Sequence, residues 1–188
     1  MEAFLASLTL VAIGEIGDKT QLLSFALASR YRGRARNLFA ILAGITLATL
    51  LNHGLSAWAG VWLANTVPMQ WMQWILGGSF IALGLWMLIP DKDEELDERK
   101  KWGPFIASFV LFFIAEIGDK TQVATVALAA RFPSDFVAVL SGTTLGMVAA
   151  NAPVIWLGAK LTNPKWESWA HRISALLFVV FGAITLIS

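Results

Sequence analysis

EIGDKTQ occupies residues 15–21, and the same seven letters return at residues 116–122. Both copies sit inside strongly apolar stretches. A charged side chain at bilayer depth costs on the order of 3 kcal/mol on insertion scales. A chain that places a glutamate, an aspartate and a lysine there, twice, must therefore shelter them from lipid.

The surroundings of the two copies define the class of protein. Of 188 residues, 57% are hydrophobic and 14% charged, and the mean hydropathy is +0.66. So few charges at this length point to an integral membrane protein. Apolar runs of about 20 residues, enough for roughly 30 Å of hydrocarbon, recur along the chain. Six spans are predicted, at about 3–28, 38–63, 70–90, 104–130, 136–159 and 168–188. They lack the period-two alternation of barrel strands, so helices are expected. Pro104 suits the first turn of the fourth. Trp71, Trp74, Trp102, Trp166 and Trp169 gather near predicted ends, as in an interfacial belt. The N-terminal stretch has no basic leader and carries the motif, so it is expected to be a retained span, not a signal peptide. Cysteine is absent, which excludes disulfides, thiolate metal sites and cysteine nucleophiles.

Loop charges orient the bundle. Arg30, Arg32, Arg34 and Arg36 follow span 1; Lys92, Arg99, Lys100 and Lys101 follow span 3; Lys160, Lys165 and Arg172 follow span 5. These are eleven of the fourteen basic residues, and only Arg131 falls on the other side outside the motifs. The positive-inside rule then puts those loops in the cytoplasm and both termini outside.

The repetition extends beyond the motif. At an offset of 101, Ala26, Leu27, Ala28 and Arg30 match Ala127, Leu128, Ala129 and Arg131. At an offset of 98, Gly44, Thr46, Trp58, Gly60, Phe80 and Gly84 match Gly142, Thr144, Trp156, Gly158, Phe178 and Gly182. The expected architecture is all-α: a first three-helix repeat over 1–90, a charged cytoplasmic linker over 91–103, and a second three-helix repeat over 104–188. Three spans per copy force the second to enter the membrane from the opposite side. That is the inverted-topology build of many secondary transporters.

Inversion about an axis in the membrane plane brings the two motifs together. On a continuous helix Glu15 and Asp18, three apart, share a face and Lys19 borders it. The same holds for Glu116, Asp119 and Lys120. Four carboxylates and two ammonium groups leave a charge of −2, which one divalent cation or two protons would neutralise. The donor set is oxygen-only and suits Mn²⁺, Ca²⁺ or Mg²⁺ better than Zn²⁺ or Cu. Thr20, Gln21, Thr121 and Gln122 can add neutral oxygens or hold the carboxylates in place. Gly17 and Gly118 allow either close helix packing or a local opening that turns carbonyls inward. An interhelical ion-pair lock is the bland reading of the same six charges. Asn52 and Asn151 line the cavity or bond between helices, Pro153 can bend span 5, and His53 is a packed imidazole or a proton carrier. The remaining glycines, at 44, 60, 84, 142, 158 and 182, read as packing contacts. No Ser-His-Asp arrangement supports hydrolysis, and an enzyme is not expected.

Two copies of E-x-G-D-K-[TS] in a duplicated six-span chain resemble the Gdt-type cation/proton exchanger family. Its members include bacterial manganese exporters, plastid manganese transporters and Golgi Mn²⁺/Ca²⁺ transporters. The resemblance implies a cation site formed by Glu15, Asp18, Glu116 and Asp119, with Gln21 and Gln122 as further candidates. Lys19, Thr20, Lys120, Thr121, Asn52 and Asn151 would support it. It implies a multi-pass protein of the bacterial plasma membrane that exports Mn²⁺ in exchange for H⁺ and needs no cofactor. A Ca²⁺/H⁺ exchanger, a passive divalent cation channel and an organic-cation transporter are the alternatives.

Overall fold

A computed structural model describes all residues except 32, 87, 89–101, 158–163 and 188. Among the described residues every regular element is helical. The helices are α1 (Glu2–Gly14), α2 (Lys19–Arg30), α3 (Ala35–Thr66), α4 (Met69–Trp86), α5 (Pro104–Glu116), α6 (Lys120–Arg131), α7 (Phe136–Leu157) and α8 (Pro164–Ile187). A short 3-10 turn, Pro133–Asp135, leads into α7. Most of the charged linker expected over 91–103 lies outside the described residues.

Two of the expected spans are not continuous helices. The first is divided between α1 and α2, the fourth between α5 and α6, and both divisions fall inside EIGDKTQ. Glycine is the physical reason. Gly17 and Gly118 have φ of +84° and +76°, the left-handed region that side-chain-bearing residues avoid. A Cβ on Gly118 would meet nothing within 4 Å, so this glycine opens the chain and is not there for close packing. The apolar run gave no sign of the interruption because hydropathy does not register φ.

The bundle is built inside out. Along α3, Gly44, Ala48, Thr49, Asn52, His53, Ser56 and Gly60 are buried, whereas Phe39, Leu47, Leu51, Leu55, Trp58 and Trp62 are exposed. Trp71 and Trp74 on α4 are likewise exposed. Exposed apolar surface on this scale marks a face meant for something other than water. By length and composition, Ala35–Thr66 and Pro133–Trp156 can each cross a bilayer; Glu2–Gly14, Pro104–Glu116 and Ala175–Ile187 are shorter apolar helices.

Glycines set the crossings, and they do so in matched pairs. A Cβ on Gly44 of α3 would fall 2.6 Å from the Phe105 carbonyl of α5, and one on Gly142 of α7 would fall 2.6 Å from the Phe4 carbonyl of α1. A Cβ on Gly84 of α4 would lie 2.7 Å from the Ala175 carbonyl of α8, and one on Gly182 of α8 would lie 2.8 Å from the Gly77 carbonyl of α4. Equivalent residues thus make equivalent contacts, always across the two halves. Phe80 and Phe178, another equivalent pair, are fully buried against each other with ring centroids 6.3 Å apart. Gly60 also packs, against Val126, Ala129 and Ala130 of α6. Gly158 lies outside the described residues.

Candidate metal centre

Each break presents two helix ends to one place. α1 and α5 arrive with their carbonyl ends, α2 and α6 leave with their N–H ends, and the four ends carry opposite partial charges. Asp18 and Asp119 stand at the N-cap positions of α2 and α6. A carboxylate is favoured there because it faces unpaired N–H groups. Asp119 Oδ2 accepts from the Thr121 N–H at 3.5 Å.

The glutamines brace the breaks. Gln21 Oε1 accepts the Gly17 N–H at 2.9 Å, and Gln122 Oε1 accepts the Gly118 N–H at 2.9 Å. Both amide oxygens offered as possible cation donors are thus turned to backbone. Gln21 Nε2 also donates to the Ala150 carbonyl of α7 at 2.9 Å, one residue from the carbonyl that Pro153 leaves without its helical donor. The break in one half is tied by this bond to the proline-containing helix α7 of the other.

The acids converge. Carboxylate oxygens of Glu15, Asp18 and Asp119, one each, lie within 4.8 Å of one another, and all three residues are buried. They come from both halves of the chain. Glu116, buried as well, joins the group through Thr121: the Thr121 hydroxyl lies 2.9 Å from Glu116 Oε2 and 3.3 Å from Asp119 Oδ2. The Thr20 hydroxyl donates to Glu15 Oε2 at 2.6 Å. The second oxygens, Glu15 Oε1 and Glu116 Oε1, are buried with no hydrogen-bond donor. Lys19 Nζ pairs with Asp119 Oδ1 at 3.3 Å. Lys120 is buried.

The expectation that a single helix face aligns Glu15 with Asp18 is corrected by the geometry. Glu15 follows the end of α1 and Asp18 precedes α2, so a turn joins them, with Asp18 N–H donating to the Glu15 carbonyl at 3.2 Å. Asn52 donates to the Phe113 carbonyl at 3.1 Å, near the end of α5, where carbonyls lack helical donors. Asn151 accepts from Ser24 at 2.6 Å and donates to the Met147 carbonyl at 3.0 Å. Both asparagines therefore bond within the bundle. Ser24, Thr49 and Ser56 escaped notice in the sequence; the signal for the last two was their three-to-four-residue spacing around Asn52 and His53.

Buried acids drawn from two copies of one motif meet at two matched helix breaks, and their oxygens could hold a hard cation. The sequence profile described as "Divalent cation/proton antiporter GDT1" matches residues 3–95 and 104–188. The chain belongs to the GDT1 family. It is 44% identical, over 98% of its length and 90% of the relative's, to a Vibrio cholerae protein named "Putative manganese exporter". It is 27% identical to the GDT1-like protein sll0615 of Synechocystis, over 98% of this chain and 97% of that one. It is also 27% identical to GDT1-like protein 5 of Arabidopsis thaliana, over 100% and 96%. No solved structure matches the fold.

Proposed function

We propose that this GDT1 protein exports Mn²⁺ from the cytoplasm in exchange for protons, using the paired breaks as its cation site. One observation carries the reading: Glu15, Asp18 and Asp119, from both copies of the motif, bring buried carboxylate oxygens within 4.8 Å of one another. In this reading α1–α2, α3, α4, α5–α6, α7 and α8 are six spans, arranged as inverted repeats over 1–90 and 104–188. The matched glycine contacts across the halves support that arrangement. The loop charges favour both termini outside the cytoplasm, in a bacterial plasma membrane.

Glu15, Asp18 and Asp119 are the primary ligands, with Glu116 supplying a further oxygen. Gln21 and Gln122 hold the glycine turns, and Thr20 and Thr121 aim the carboxylates. Hard oxygen donors suit Mn²⁺, and the carboxylates must be deprotonated to bind it. Metal and protons therefore compete for the same oxygens, which is the chemical basis of exchange. Loading weakens as pH falls.

The test is metal-dependent proton flux in liposomes containing only this protein, with Mn²⁺, Ca²⁺ and Mg²⁺ compared in one assay. Mn²⁺ should drive proton movement, and Asp119→Asn and Asp18→Asn should each lower the flux at least a hundredfold while the protein still inserts. Wild-type flux in either variant would refute the assignment of the site. Flux of Mn²⁺ without protons would indicate a channel, and a preference for Ca²⁺ over Mn²⁺ would reassign the substrate.

A further inference from the structure

The two repeats differ along one helix face. On α3, Thr49, Asn52, His53 and Ser56 are all buried, at the three-to-four-residue spacing of a single stripe. Their repeat counterparts on α7, at an offset of 98, are Met147, Ala150, Asn151 and Val154, of which only Asn151 is polar. His53 is fully buried, and neither ring nitrogen has a hydrogen-bond partner. Thr49 Oγ1 is buried without a partner too. Such groups are rare in folded proteins because each forgoes its hydration, and several on one stripe ask for a function.

The stripe runs beside the second break. Gly44 packs on Phe105 and Phe109 of α5, Asn52 bonds the Phe113 carbonyl, and Gly60 packs on Val126 and Ala130 of α6. The segment between Asn52 and Gly60 therefore passes Glu116–Lys120. Beyond Gly60 the same face reaches Ala64, which lines a cavity together with Gln73, Arg131 and Thr185. Arg131 marks the face that the loop charges place outside the cytoplasm. Gly60 closes the lane in this structure, since even a Cβ there would strike the α6 backbone.

We propose that this lane on α3, centred on His53, carries protons to and from the cation site apart from the path of the metal, with Ser56 on the side of the outer cavity and Thr49 on the opposite side. The inference rests on the exchange reading above and adds a route to it. The imidazole accepts a proton on one ring nitrogen and releases one from the other, with Thr49 and Ser56 as hydroxyl neighbours on either side. Besides Arg36 on α3 itself, the elements packed against it carry Asp18, Lys19 and Arg30 at α2, Glu116 on α5, Asp119, Lys120 and Arg131 at α6, and Asp135 on the short turn; α7 brings none. None of the four stripe residues is among the proposed ligands, so the lane and the cation site can be separated by mutation.

His53→Asn, which gives α3 the residue α7 has at that place, is the decisive variant. In liposomes, exchange of labelled for unlabelled Mn²⁺ requires no proton, whereas net Mn²⁺ movement against a pH gradient does. The expectation is homo-exchange within twofold of wild type and proton-driven movement reduced tenfold or more, with its pH profile flattened. Unchanged proton-driven movement would overturn the lane. Equal loss of both modes, in a protein that inserts, would also overturn it by making His53 part of the metal site or of the packing. If His53→Asn does not insert, the Thr49→Val/Ser56→Ala double variant decides by the same split. Failure of the exchange reading looks different: the wild type would show no proton-coupled Mn²⁺ movement at all.

Discussion

Lys19 and Lys120 hold the same place in two identical heptapeptides, yet their surroundings differ. Lys19 has 18% of its side chain exposed and pairs with Asp119 across the halves, whereas Lys120 is buried. The helices that follow them differ in the same sense. α2 buries Thr20, Ser24, Leu27 and Ala28, while α6 buries eight of its twelve residues. α6 is enclosed by α3 and α4, and α2 lies nearer the edge against α7. Identical letters in unlike environments suit the alternating access that the exchange proposed above calls for. If the halves trade environments when the protein switches, neither arrangement needs its own sequence. The difference is then a property of the state and not of the copy.

The largest expected contrast lies at the lysines themselves. Removing one partner from a buried charge cluster leaves uncompensated charge and costs about 3 kcal/mol or more. Lys120→Gln should therefore lower stability by about that amount. Lys19 keeps part of its side chain in solvent although its partner Asp119 is buried, so solvent still screens the pair and Lys19→Gln should cost less stability than Lys120→Gln. Unfolding of the two variants in the same detergent, followed by tryptophan fluorescence, measures both. Equal losses would break the comparison by showing that the two environments average out in solution.

The threonines should sharpen it. Thr121 bridges Glu116 and Asp119, and Thr20 holds Glu15 alone. Hydrogen bonds to charged groups are worth about 1.5–3 kcal/mol. Thr121→Val should weaken Mn²⁺ binding about 30-fold, which is about 2 kcal/mol. Thr20→Val should weaken it about tenfold or less. Titration calorimetry at one pH separates them, and a larger effect at Thr20 would reverse the assignment of the better-organised half.

Much of this was legible before any coordinates. The doubled motif, the offsets of 101 and 98 and the apolar runs announced two related halves, and cross-half contacts at Gly44, Gly142, Gly84 and Gly182 agree with them. The meeting of Glu15, Asp18 and Asp119 followed from charges that cannot face lipid. The breaks were half legible: Gly17 and Gly118 admit either close packing or a local opening, the hydropathy continues on both sides, and only the positive φ decides for the opening. Helical periodicity put Glu15 and Asp18 on one face for the wrong reason: they meet across a turn. The unequal burial of Lys19 and Lys120 was beyond any reading of the motif, since its seven letters are the same. The stripe on α3 was half visible, in Asn52 and His53. Thr49 and Ser56 complete it only once burial shows which face is inside.

The smallest effect is expected at the turn that makes the site possible. Gly118 has φ +76°, and a Cβ there meets nothing within 4 Å. Gly118→Ala therefore adds no clash, and its cost is confined to the backbone: about 1–2 kcal/mol for placing an L-residue in the left-handed region. A helical φ at alanine would relieve that strain, but it would join α5 to α6 and rotate Asp119 away from Asp18. The variant has to choose between strain with the site kept and relaxation with the site lost. A unimpaired Mn²⁺ affinity with a small loss of stability marks the first, and lost affinity at full stability marks the second. The second result shows that the break and the proposed cation site are one feature, and the first shows that the turn is held against its strain. Full affinity together with full stability would show that the positive φ does not matter, and the contrast between continuous and broken spans would lose its physical basis.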